Sequence, residues 1–259
     1  MENIVVSTSA IIGENAHFEN FITIENDVII GDNVRIGNNV SILNGTRIGN
    51  NCQIHSGAVI GGIPQDLKFN NEYTLLELGD NNVIRENVTI NRGTSSKGIT
   101  RIGNSNLIMA NAHIGHDCSI GNNCIIGYNV GMAGEVVTED WVNISGLTAI
   151  HQFSRIGRHS MISGLSRIVK DIPPFITVAH EPLRYAGLNI IGLRRRGFSS
   201  EKIEEIKSIY RVIFQEKRNT KSALEYVENE FSPTEERNLI LNFIKTSKRG
   251  IVKGADFLV

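Results

Sequence analysis

Ile30-Gly31-Asp32-Asn33-Val34-Arg35-Ile36-Gly37-Asn38-Asn39-Val40-Ser41-Ile42 puts an apolar residue at every sixth position. The same frame runs back through Ile24 to Ile12 and forward through Ile48, Ile54, Ile60, Leu78, Ile84 and Ile90. It continues from Ile102 through Ile114 and Met132 to Ile168. Helices repeat at about 3.6 residues and strands at 2, so a strict period of six marks a solenoid of parallel strands. The fourth place after the apolar residue is small or β-branched, as at Val34, Val40, Thr46, Cys52, Ala58, Val88, Ala112, Cys118 and Cys124. These two places are read as inward-facing. Asn is frequent at the third place (Asn33, Asn39, Asn51, Asn111, Asn123, Asn129), where the chain must turn a corner through left-handed backbone. Three hexapeptides make one triangular coil, so residues 18 apart stack about 4.8 Å from each other.

The chain has 259 residues, 41% hydrophobic and 20% charged, which fits one large folded unit or two unequal ones. No stretch approaches the roughly 18 apolar residues of a membrane span, and the N-terminus lacks the pattern of a secretory signal, so the cytoplasm is expected. Cys52, Cys118 and Cys124 all fall on the inward small place and are read as core, with neither metal nor disulfide. The net charge of -1 hides a basic stretch holding Arg155, Arg158, Arg167, Lys170, Arg184, Arg194, Arg195 and Arg196. Such an end suits a phosphorylated ligand or an acidic protein partner. Nucleic acid is not expected, because aromatic residues are not interleaved with the basic ones.

The frame breaks twice, over 61–77 and 91–101, and resumes in register; these segments are expected as loops leaving the coils, where binding residues concentrate. It ends at Pro173-Pro174. Beyond it, Ser199 or Ser200, Thr220 and Thr234 are expected to cap helices, the first built on Ile203, Ile206, Tyr210 and Ile213. The expected division is a parallel β-helix over 1–188 and a helical C-terminal domain over 189–259 that covers the open end of the coil stack.

Six of the seven histidines (His17, His55, His113, His116, His151 and His159) lie within the six-residue frame, and none falls on an inward place. Eighteen-residue stacking sets Gly134 above His116 and Gln152 above Gly134, with His151 beside Gln152 and His113 at the same corner. An imidazole can take a proton from an alcohol, and a glycine N–H can meet a developing oxyanion with no side chain in the way. His116 with Gly134 therefore fits acyl transfer to a hydroxyl. Asp117 orients the imidazole only if these neighbours point the same way.

Ile63-Pro64-Gln65-Asp66-Leu67-Lys68, the run Ile84 to Thr94 (Ile-Arg-Glu-Asn-Val-Thr-Ile-Asn-Arg-Gly-Thr), Asn111-Ala112-His113-Ile114-Gly115-His116-Asp117-Cys118, His151-Gln152-Phe153 and Gly192-Leu193-Arg194-Arg195-Arg196-Gly197-Phe198-Ser199 closely resemble the UDP-N-acetylglucosamine O-acyltransferase family. The resemblance spans essentially the whole chain. It implies a left-handed coil, an exception to the usual right-handed crossover, assembled as a homotrimer with sites between subunits and needing no cofactor. It implies transfer of a 3-hydroxyacyl chain from acyl carrier protein to the 3-hydroxyl of UDP-N-acetylglucosamine, the first step of lipid A synthesis. By it, His116 matches the general base, Asp117 its support and Gly134 the oxyanion donor. Asp66, Lys68, His113, Gln152, Asn189, Arg195 and Arg196 match nucleotide-sugar contacts, and His151 matches another active-site histidine. Gly164, beside Met161, matches the position that limits acyl length.

Two positions depart from the family pattern: Glu135 stands where His often follows the oxyanion glycine, and Ile191 where Glu is common. Three other readings compete. A related N-acyltransferase would carry a uridine-binding domain ahead of the coil, whereas here the repeat begins by Ile12. A zinc hydratase would use His113, His116 and His151, but stacking sets His151 about 10 Å above His116. In a non-catalytic scaffold the surface histidines would be incidental.

Overall fold

The computed structural model describes residues 3–216 and 218–254; residues 1–2, 217 and 255–259 lie outside this description, including the last five of the expected helical segment. The repeat forms a left-handed parallel β-helix of short strands arranged on three faces. The first face has nine strands, from Val5–Val6 to Arg167–Ile168, and the second has eight, from Ile11–Ile12 to Arg155–Ile156. The third has ten, from His17–Phe18 through Met161–Ile162 to an antiparallel pair, Ile176–Ala179 with Arg184–Leu188. On the first face His113 pairs with Gly131 and Gly131 with Ala149, as 18-residue spacing requires.

Both inward places are buried. Ile30, Ile36, Ile42, Ile60, Ile84, Ile90 and Ile114 are 0–1% exposed, and Val34, Cys52, Ala58, Cys118 and Cys124 are equally enclosed. Each buried isoleucine contributes roughly 1.5–3 kcal/mol. The corners explain the asparagines: Asn33, Asn39, Asn51, Asn111, Asn123 and Asn129 all have φ between 55° and 59°. At the corner after the second face, an Asx residue two places after the inward one accepts from the N–H of the coil before it. This ladder runs Asp32 N to Asn50 at 2.8 Å, Asn50 N to Asp80 at 2.7 Å and Asn104 N to Asn122 at 2.8 Å. We expect Asn123→Ala to lower stability by about 1 kcal/mol because alanine resists left-handed backbone, seen as a lower thermal midpoint that Asn123→Gly does not share.

The irregular segments are narrower than the frame alone indicates, because strands continue to Gly62 and Asn91 and resume at Leu75 and Ile99. The C-terminal helices span Ile190–Arg195, Ser200–Phe214, Thr220–Glu230 and Glu235–Lys245. Ser199 and Thr234 are caps as expected. Asn219, not Thr220, caps the third helix by accepting from Ser222 N at 2.8 Å. The six-residue helix has no apolar period long enough to read in sequence. The helices pack on the last coil: the Tyr210 hydroxyl donates to Pro174 O at 2.7 Å, Arg155 lies 4.4 Å from the Phe243 ring centroid, and Ser247 donates to Asp171. Among the described residues no helix is long and apolar enough to cross a membrane.

Candidate active site

The corner after the first face breaks the Asx ladder. His116, Gly134 and Gln152 occupy the place where Asp or Asn accepts at the neighbouring corner, so the Gly134 N–H has no acceptor among the described residues. Gly115 on the coil below carries no side chain to cover it: a Cβ there would lie only 2.8 Å from Gly134 N. Gln65, Asn91, His113, His116, Gly134, His151, Gln152 and Arg167 line one cavity of about 520 Å³ at this place.

His116 is 8% exposed, and its Nδ1 lies 2.8 Å from the Asp117 carboxylate, which is fully buried. A carboxylate only accepts, so Nδ1 donates to it and Nε2 faces the cavity. The left-handed corner at Asp117 (φ 58°) turns its side chain back toward its own neighbour's ring. A methyl on Gly134 would sit 2.4 Å from Nε2, which shows how closely the ring and that backbone approach. Asp66 reaches the same nitrogen from the first loop, Oδ2 to Nε2 at 3.9 Å, with its other oxygen accepting from Lys68 N at 2.9 Å.

His113 hydrogen-bonds Thr89 Oγ1 through Nδ1 at 2.7 Å, and burial pushes its pKa below the ordinary imidazole value. His151 is exposed, its Nδ1 2.9 Å from Gln152 O. Nδ1 is thus engaged in all three imidazoles, and among the described residues no group of three or more His, Cys, Asp or Glu is placed to hold a metal.

The remaining expected residues are elsewhere. Met161, Asn189, Arg195 and Arg196 line a second cavity, of about 1130 Å³, against the third face, together with Ile191. Within one chain they are not brought to His116. Gly164 lies at the corner between these faces, where a Cβ would come 3.2 Å from Gly146 O. Asn189 caps the short helix, accepting from Gly192 N at 3.2 Å and donating to His159 O at 2.9 Å. His159, which the repeat marks only as a surface residue, is half-buried and stacks on Trp141 and Phe175 with ring centroids 6.4 and 5.6 Å away. Burial first, then Arg196 and Arg158, push its pKa down to about 4. It is therefore neutral and accepts from Arg196 Nη1 at 3.3 Å, while Arg196 also lies 5.1 Å from the Trp141 ring centroid.

Three groups at the site escaped the sequence reading: Asn91, Thr94 and Lys97. Asn91 is 5% exposed and donates to Ile63 O at 2.9 Å, rooting the first loop. Thr94 donates to Asp117 through both N–H and hydroxyl, and Glu135 turns to Ser96 and Lys97 and does not line the first cavity. Thr94 and Lys97 sit where the six-residue frame is suspended, so no stacking rule reaches them.

A hexapeptide coil with a carboxylate-held imidazole beside an open backbone N–H has the parts that acyl transfer to a hydroxyl requires, and its relatives give the class, a hexapeptide-repeat acyltransferase. Residues 9–44, 27–62 and 99–134 match the six-repeat hexapeptide of bacterial transferases, and residues 171–252 match the second domain of UDP-N-acetylglucosamine O-acyltransferase. A protein of Janthinobacterium sp. (strain Marseille) named acyl-[acyl-carrier-protein]–UDP-N-acetylglucosamine O-acyltransferase is 48% identical over 202 residues, 76% of this chain and 77% of that one. The UDP-N-acetylglucosamine acyltransferase of Bacteroides fragilis 9343 superposes with a TM-score of 0.95 at 50% identity, over 98% of this chain and 99% of that one. The Arabidopsis enzyme of the same name gives 0.77 at 30% identity over 97% and 99%. This chain belongs to the acyl-[acyl-carrier-protein]–UDP-N-acetylglucosamine O-acyltransferase family.

Proposed function

We infer that this chain moves a 3-hydroxyacyl group from acyl carrier protein to the 3-hydroxyl of UDP-N-acetylglucosamine, the first step of lipid A synthesis, in the cytoplasm. Family membership supports the reaction. The observation that carries the mechanism is the His116 ring, held at Nδ1 by Asp117 with Nε2 against Gly134.

Nε2 takes the proton from the sugar hydroxyl as its oxygen attacks the thioester carbon. The carbonyl oxygen becomes an oxyanion directed at the Gly134 N–H, and Asp117 stabilises the imidazolium. Collapse breaks the carbon–sulfur bond, and the departing thiolate takes the proton from Nε2, leaving an ester and a free carrier thiol. Asp66, Lys68, His113, His151 and Gln152 hold the sugar nucleotide, and Met161 and Gly164 bound the acyl chain.

The division of polar residues between the first and third faces supports a homotrimer. One subunit's His116 cavity then meets the Asn189, Arg195 and Arg196 side of the next, and the basic end receives the acidic carrier protein. Incubation with UDP-N-acetylglucosamine and a panel of 3-hydroxyacyl carrier proteins yields an O-acylated sugar nucleotide by mass analysis, from a protein with the solution mass of three chains. No product at any chain length would overturn this reading.

A further inference from the structure

The second loop does more than leave the coil and return. Thr94, 7% exposed, donates its N–H to Asp117 Oδ1 at 3.0 Å and its hydroxyl to Oδ2 at 2.6 Å, the oxygen that also faces His116 Nδ1. Thr100 Oγ1 accepts from Asp117 N at 2.8 Å, and Lys97 Nζ donates to Asp117 O at 3.1 Å. Every polar group of Asp117 except its contact with His116 is therefore taken by this loop or by the strand it enters. The loop is anchored in turn one coil higher: Lys97 Nζ lies 3.6 Å from Glu135 Oε2, and Ser96 Oγ donates to Glu135 Oε1 at 3.0 Å. It is also tied to the first loop, since Ser95 N donates to Glu72 at 2.9 Å. Glu135 occupies the corner place 18 residues after Asp117, so the chain stitches two stacked corners together through Lys97 and Ser96.

We propose that this loop is a brace for the base, with Thr94 a positioning residue that fixes the Asp117 carboxylate and hence the direction and tautomer of the His116 ring. Glu135 and Lys97 hold the brace in place. The proposal rests on His116 being the general base. Its physical basis is that a carboxylate held by His116 alone rotates about its terminal torsion, whereas the backbone N–H and hydroxyl of Thr94, one on each oxygen, leave it one orientation. An imidazole directed by that carboxylate keeps Nε2 on the cavity side, and a misplacement near 1 Å lowers rate by about 100-fold. The acidic Glu135 thereby serves the site indirectly, where an imidazole at the same corner would lack the charge to hold Lys97.

The test compares Thr94→Val, Thr94→Ser and Lys97→Met with the unaltered enzyme, reading kcat, both KM values and the nitrogen-15 shifts of the His116 ring. Thr94→Val should lower kcat by about 10- to 100-fold, leave each KM within about twofold, and move the ring shifts toward a mixture of tautomers. Thr94→Ser, which keeps the hydroxyl, should restore both readouts. Lys97→Met leaves Thr94 in place and should lower kcat several-fold with the same ring-shift signature; it decides the matter should Thr94→Val not fold. An unchanged kcat and an unchanged tautomer in folded Thr94→Val, or in Lys97→Met, would overturn the brace. His116→Ala separates the two levels. If it retains activity, the assignment of the base is wrong. If it is inactive while Thr94→Val is indistinguishable from the parent, only the brace is wrong.

Discussion

Replacing His116 with alanine lowers kcat by about 100- to 10,000-fold, the contribution of a positioned acid–base group, with the fold intact and KM for the sugar nucleotide little changed. The prediction follows from where the ring's interactions go. Its Nδ1 is spent on Asp117 and its Nε2 faces a cavity, so the side chain supports neither strand pairing nor a corner ladder. Its loss removes one partner of a buried carboxylate, yet Thr94 still satisfies both Asp117 oxygens. The stability cost is accordingly that of one hydrogen bond to a charged group, about 1.5–3 kcal/mol, while the proposed proton acceptor for the hydroxyl is gone. Steady-state acyl transfer alongside thermal unfolding checks it. A variant that loses activity only in step with its fold would return His116 to a structural role.

The period of six exposed some of this site and concealed the rest for definite reasons. Coil stacking is a geometric consequence of parallel pairing, so the approach of Gly134 to His116 could be read by counting 18 residues. The same count joins Trp141 to His159 and would have shown the aromatic column that the surface reading of His159 passed over. Asp117 was ambiguous because adjacent side chains on a strand diverge, a rule suspended at a left-handed corner, where its φ of 58° brings it back to the ring. Thr94 and Lys97 were illegible in these roles because a loop of irregular backbone has no period to count, and Asn91, though it ends a strand, pairs with Gly62 across a register shift that the count does not anticipate. The basic residues expected around the sugar nucleotide were legible as a charge cluster. That Arg195 and Arg196 open onto a different face from His116 depends on the third dimension alone.

Gly134→Ala should abolish transfer nearly as completely as loss of His116, by about 100-fold or more in kcat, while the coil keeps its thermal midpoint within a few degrees. The new methyl would stand 2.4 Å from Nε2 and 2.5 Å from Cε1, well inside the van der Waals contact of a methyl carbon with a ring atom. A free side chain would swing aside, but this ring is fastened at Nδ1 to a carboxylate that Thr94 holds from two directions. The clash is therefore relieved by tilting the imidazole away from the hydroxyl it is proposed to deprotonate, or by drawing the Gly134 amide back from the carbonyl it is proposed to receive. Either movement separates the base from the oxyanion donor. The backbone at this position is not left-handed, so alanine introduces no torsional strain of its own and the fold has no reason to fail. Measuring kcat, the thermal midpoint and the His116 ring shifts in one variant tests all three statements together. Full activity in Gly134→Ala would show that the close approach of ring and backbone is incidental to the chemistry.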